Sequence, residues 1–96
     1  MHKSTIKRNR RAVWKYLDTH PCVDCNEDEK ILLEFDHIDP SNKLGHISRL
    51  VRTVGLKKLF DEIGKCVVRC ANCHRKKTAQ QYAWYKDIDS GDIDGY

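Results

Sequence analysis

Cys70-Ala71-Asn72-Cys73-His74-Arg75-Lys76-Lys77-Thr78 places two thiols at knuckle spacing, an imidazole directly after the second, and three consecutive cations. A second Cys-x-x-Cys lies upstream at Cys22 and Cys25. Two residues between cysteines let both sulfurs approach one ion while backbone amides turn toward them. Two such knuckles commonly build a tetrahedral zinc site. Cys22, Cys25, Cys70 and Cys73 are therefore expected to hold a structural zinc, with residues 26–69 enclosed between the knuckles. The plainer alternative is a buried or redox-active group of thiols. Cys66 falls out of register with both knuckles and is expected to be a small buried hydrophobe on a strand.

A second set surrounds Asp36-His37, at the end of the apolar run Ile31-Leu32-Leu33-Glu34-Phe35. In an extended segment adjacent side chains point in opposite directions. One of the pair would then bind a cation while the other faces a nucleophilic water. His74, beside a zinc ligand at a helix start, is expected to complete the cation site. A carboxylate and an imidazole leave positions open for water and phosphate oxygens, which a catalytic ion needs and a structural ion does not. Alone, an Asp-His dipeptide reads as an exposed or hydrogen-bonded pair; its spacing from both knuckles gives it weight.

The positioning elements follow from pattern. Residues 1–7 read as a frayed arm, and a helix is expected from about Arg8 to Thr19, with Val13, Trp14 and Leu17 on one stripe. Thr19-His20-Pro21 ends it, because the residue before proline avoids the helical region. Residues 31–35 are expected as a strand. Short helices follow at His46–Thr53 and Leu56–Ile63, separated by Gly55, with Gly64 as a cap. Residues 66–69 form a second β-prone run, and a helix is expected from Cys73 to the mid-eighties. Trp14, Tyr82, Trp84 and Tyr85 read as packing residues, and His46 as a polar or capping residue near the site.

The 96 residues suffice for one domain near the lower size limit of a self-sufficient core, so a stabilising metal fits. The fold class is α+β. Residues 1–21 are expected as basic arm and first helix, 22–86 as the core and 87–96 as an acidic, mobile tail. Five cysteines would suit disulfides in a secreted protein. However, residues 1–11 carry no apolar signal core, and no run approaches a membrane span. A reducing, cytoplasmic setting is expected. Net charge is +4, with Lys3, Lys7, Arg8, Arg10, Arg11 and Lys15 gathered in the first fifteen residues. Such a stretch suits a phosphate backbone, with Arg8, Arg10, Arg11, Arg75, Lys76 and Lys77 as contacts and Arg75 and Lys77 favoured. A solvated basic face is the alternative.

Residues 22–78 resemble a small phage-type HNH endonuclease with a four-cysteine zinc site. The resemblance is carried by Cys22-x-x-Cys25, by residues 35–43 from Phe35-Asp36-His37 to Lys43, and by residues 62–78 from Glu62-Ile63-Gly64-Lys65-Cys66 through the second knuckle. It implies a ββα-metal core clasping one divalent ion (Mg, Mn, Ni or Zn). His37 would be the general base, and Asp36 and His74 the ligands of the catalytic ion. The family's middle asparagine, which pins the loop between the strands and orients the base, falls on Lys65. The expected activity is hydrolysis of DNA phosphodiester bonds, as nicks or with low sequence specificity, by a monomer or weak dimer. By the same resemblance, a host cell's cytoplasm would be the setting and phage packaging proteins possible partners. A non-catalytic zinc module that binds nucleic acid, and a zinc knuckle for protein contacts, are the alternatives.

Overall fold

A computed structural model describes residues 1–86 and residue 88. The expected acidic tail, 87–96, lies outside the described residues except for Ile88. The chain is α+β. Helix α1 spans Lys3–Tyr16 and tightens into a 3₁₀ turn at Leu17–Thr19. After the first knuckle, a 3₁₀ turn at Lys30–Leu32 leads into strand β1, Leu33–His37. A third such turn, Pro40–Asn42, precedes helices α2 (Ile47–Leu50) and α3 (Leu56–Ile63). Strand β2 (Cys66–Cys70) runs directly into helix α4 (Ala71–Tyr82). The two strands pair antiparallel, with Leu33 opposite Cys70 and His37 opposite Cys66.

Two apolar clusters hold these elements. Leu17, Cys22, Leu33, Val68 and Cys70 form one, behind the knuckles. Ile47, Leu50, Val51, Leu59 and Ile63 form the other, between α2 and α3. Tyr16 and Phe35 pack against both and join them, their rings 6.0 Å apart. Truncating a fully buried side chain such as Leu59 to alanine typically costs about 2–5 kcal/mol. By contrast, α4 buries no residue of its own. It is held by Cys73, which packs against the first cluster, and by polar contacts to β1.

Several expectations are corrected. Residues 3–7 are helical: His2 caps α1, its Nδ1 accepting from the Ser4 amide at 3.1 Å. The helix is anchored through Asn9, 0% exposed, whose Nδ2 donates to the Val51 and Val54 carbonyls at 3.1 and 2.8 Å. These carbonyls follow α2 and lack helical partners, which makes a buried amide donor necessary there. The strand begins two residues later than expected, because Leu32 N bonds Glu29 O at 2.9 Å and closes a turn. Helix α4 starts at Ala71 because the Cys70 sulfur caps it, accepting from Cys73 N at 3.4 Å. Gly64 ends α3 in a right-handed conformation, φ −61°, so its freedom to adopt positive φ is not used.

The aromatic residues are also corrected. Trp14 is 48% exposed, with the Lys30 ammonium 5.1 Å from its ring centroid. Tyr82, Trp84 and Tyr85 are exposed, and Trp84 lies under the Arg75 guanidinium at 5.4 Å. The hydrophobic stripe of α1 is narrower than expected because Tyr16 and the amide of Asn9 take part of the buried face.

Candidate functional site

The ββα unit formed by β1, β2 and α4 carries two polar centres. In the first, one ligand atom each from Cys22, Cys25, Cys70 and Cys73 lies within 4.8 Å of all the others. The Cys25 and Cys70 sulfurs are 3.7 Å apart. A regular tetrahedron with zinc–sulfur bonds of about 2.3 Å has edges of about 3.8 Å, so the spacing suits a zinc ion. The first knuckle turns through Asn26, whose positive φ of 66° an asparagine tolerates, and its amide bonds Cys22 O at 2.9 Å.

Burial alone would raise the Cys22 thiol, but hydrogen bonds from the backbone at Cys70, Cys25 and Asp24 outweigh it and lower it to about 6. Cys73 is pushed up to about 12, chiefly by its neighbours Cys70 and Cys25. Four sulfurs this close resist ionising together, and a divalent cation among them removes that conflict. Cys66 stands apart: its sulfur meets Glu62 O at 3.6 Å, and burial, with Glu62 and Asp36 nearby, lifts its thiol to about 11. It behaves as a half-buried hydrophobe.

The second centre lies on the α4 side of β1. Strand alternation sends Glu34 and Asp36 to one face and Leu33, Phe35 and His37 to the other. Asp36 Oδ1 faces His74 Nε2 at 3.8 Å. Its Oδ2 accepts from Arg69 Nη1 at 2.6 Å and from Lys77 Nζ at 2.9 Å. Burial works to raise the Asp36 carboxyl, but the Lys77 and Arg69 contacts hold it below the usual range. The other ring nitrogen of His74, Nδ1, meets Glu34 Oε1 at 2.7 Å. Glu34 therefore sets the orientation of the ring and turns Nε2 toward Asp36.

Comparison of the chain with protein-family models, with curated proteins and with solved structures gives no match. The site therefore stands on its own geometry.

Of the residues singled out from sequence, Asp36 and His74 come together. His37 goes to the opposite face, 8% exposed, with Nε2 2.8 Å from Glu62 Oε2. Lys77 is engaged by Asp36 and Arg75 by Trp84, while Lys76 is exposed. Arg8, Arg10 and Arg11 are exposed along α1. His46 is exposed beside Lys43 and makes no side-chain cap. It lines a cleft of about 380 Å³ together with His74, Glu34 and Phe35.

Three residues to which the sequence assigns no role join these contacts. Glu34 lies two positions before Asp36, the spacing that puts both on one face. Glu62 lies three positions after Leu59 and next to Ile63, within the apolar stripe of α3, which signals burial. Arg69 is the cross-strand neighbour of Glu34, visible only once the register is known.

Proposed function

We propose that this chain is a metal-dependent endonuclease of the HNH type, hydrolysing DNA phosphodiester bonds. The observation that carries the reading is Asp36 Oδ1 facing His74 Nε2 across 3.8 Å, with the remaining donor atoms of both residues already engaged. That separation is short enough for one ion with bonds of about 2.1 Å to bridge the two atoms. Asp36 and His74 would hold the divalent ion, which stabilises negative charge on the phosphate and the leaving oxygen when bound.

His37 is the general base of this reading. It takes a proton from the attacking water, whose oxygen bonds to phosphorus. The bond from phosphorus to the leaving oxygen breaks, and that oxygen collects a proton from solvent. Among the described residues β1 pairs only with β2, so its outer edge has no strand partner. A phosphate lying across that edge meets the Asp36 face on one side and the His37 face on the other. Exposed Arg8, Arg10, Arg11 and Lys76 supply attraction to the backbone with little base discrimination. One such site per chain makes nicks the expected product.

A second reading, a zinc module that binds nucleic acid without cutting it, is favoured by one observation. Asp36 Oδ2 is already neutralised by Arg69 and Lys77. The two readings separate in a plasmid assay with Mg, Mn, Ni or Zn added. For the nuclease, Asp36→Asn and His74→Ala each lower metal-dependent nicking on the order of 100-fold or more while one zinc per chain is kept. Undiminished nicking by both variants would remove the reading. Wild-type protein that shifts DNA in a gel yet never nicks it selects the binding module.

A further inference from the structure

Behind β1, on the face away from Asp36, lies a buried charged network that the zinc centre does not use. Glu62, 1% exposed, receives three donors. Its Oε2 accepts from Leu44 N at 2.8 Å and meets His37 Nε2 at 2.8 Å. Its Oε1 pairs with Lys65 Nζ at 2.9 Å. Lys65 Nζ also donates to Asn42 O at 3.0 Å, and the Lys65 carbonyl accepts from Ile38 N at 3.0 Å. The loop that leaves His37 is thus stitched at Ile38, Asn42 and Leu44 to the turn that ends α3.

This network has a chemical consequence for the His37 ring. Burial works to raise the Glu62 carboxyl, but Lys65, Leu44 and His37 outweigh it and hold it at about 2. A carboxylate only accepts hydrogen bonds, so the ring nitrogen facing it, Nε2, carries the hydrogen. In the neutral ring the lone pair then resides on Nδ1. Among the described residues no buried side-chain nitrogen or oxygen lacks a partner, and no described residue bonds His37 Nδ1. Nδ1 therefore reaches solvent.

We propose that Glu62 and Lys65 are positioning residues for His37. They fix its ring with the hydrogen on Nε2 and present Nδ1 as the atom that takes the proton from the attacking water. Lys65 thereby pins the loop that follows His37, and Glu62 orients the ring. The inference rests on His37 being the base.

The test is long-range ¹H–¹⁵N correlation of the histidine rings in zinc-loaded protein at pH 8, with the His37 signals assigned by their loss in His37→Ala. Wild type should show His37 as a single tautomer with hydrogen on Nε2. Glu62→Gln, whose amide can also donate, should show a mixture, with the single-turnover nicking rate lowered about 10- to 100-fold and DNA affinity unchanged. Lys65→Met leaves the Glu62–His37 contact in place but frees the loop; it should slow nicking similarly, and Lys65→Arg should restore it. A wild-type His37 that is mixed, or that carries its hydrogen on Nδ1, overturns the proposal whatever the nicking rates. If the tautomer is as described but His37→Ala nicks like wild type, the base assignment fails and the positioning role with it. The two failures are thus told apart.

Discussion

Arg69 is bonded to Asp36 through Nη1 and to Asp24 through Nε, both at 2.6 Å. One guanidinium therefore ties the strand that carries the candidate ion site to the loop of the first cysteine knuckle. Replacing it with methionine leaves the half-buried Asp36 carboxylate with Lys77 as its remaining cation. We expect a loss of about 1–3 kcal/mol in urea unfolding of the zinc-loaded protein. The pH dependence has a definite sign. Asp36 is held below its ordinary value of 3.8, so its contribution is fully present above that pH and fades as pH falls through the lower folded value. The gap between wild type and Arg69→Met should narrow on acidification.

The four-cysteine centre should bind one zinc per chain, measured by metal analysis after extensive dialysis. Cys70 is at once a candidate ligand, the cap of α4 and a member of the core behind the knuckles. Cys70→Ser should lose both the zinc and cooperative unfolding. A zinc-free Cys70→Ser protein with wild-type circular dichroism and an unchanged melting transition would contradict the assignment. Because α4 buries no residue of its own, chelation should release its amides to hydrogen exchange before those of α3.

Asn9 is the joint between α1 and the α2–α3 segment. Asn9→Ala leaves two carbonyls without their donor and opens a cavity, at an expected cost of about 2–3 kcal/mol by chemical denaturation. Hydrogen exchange should then speed up in α1 more than in β1 or β2. A loss within ±0.5 kcal/mol would mean that α1 is held by its apolar stripe alone.

If α1 follows a phosphate backbone, Arg8, Arg10 and Arg11 contribute to a salt-dependent affinity. Replacing all three with alanine should flatten the slope of log K against log salt by about 2–3 on duplex DNA. The zinc content should stay unchanged. An identical slope would leave these cations as a solvated face.

The four-cysteine cluster and the α+β class are legible in the sequence because cysteine spacing and strand alternation are local signals. Two Cys-x-x-Cys pairs announce four candidate ligands without any knowledge of the fold, and adjacency puts Asp36 and His37 on opposite faces of a strand. What His37 meets on its face is not local: Glu62 lies on another element and reads there as one polar residue within an apolar stripe. Arg69 likewise needs the register of β1 against β2. Asn9 gave no warning, because its partners are carbonyls at the end of a distant helix.

The most direct measurement is conversion of supercoiled plasmid to open circles by zinc-loaded wild type and by His37→Ala, with Mg, Mn, Ni or Zn added and with EDTA. The account predicts metal-dependent nicking by wild type alone, with His37→Ala folded, zinc-bound and of unchanged DNA affinity. Equal nicking by His37→Ala, or no nicking by wild type with any of these ions, would contradict it.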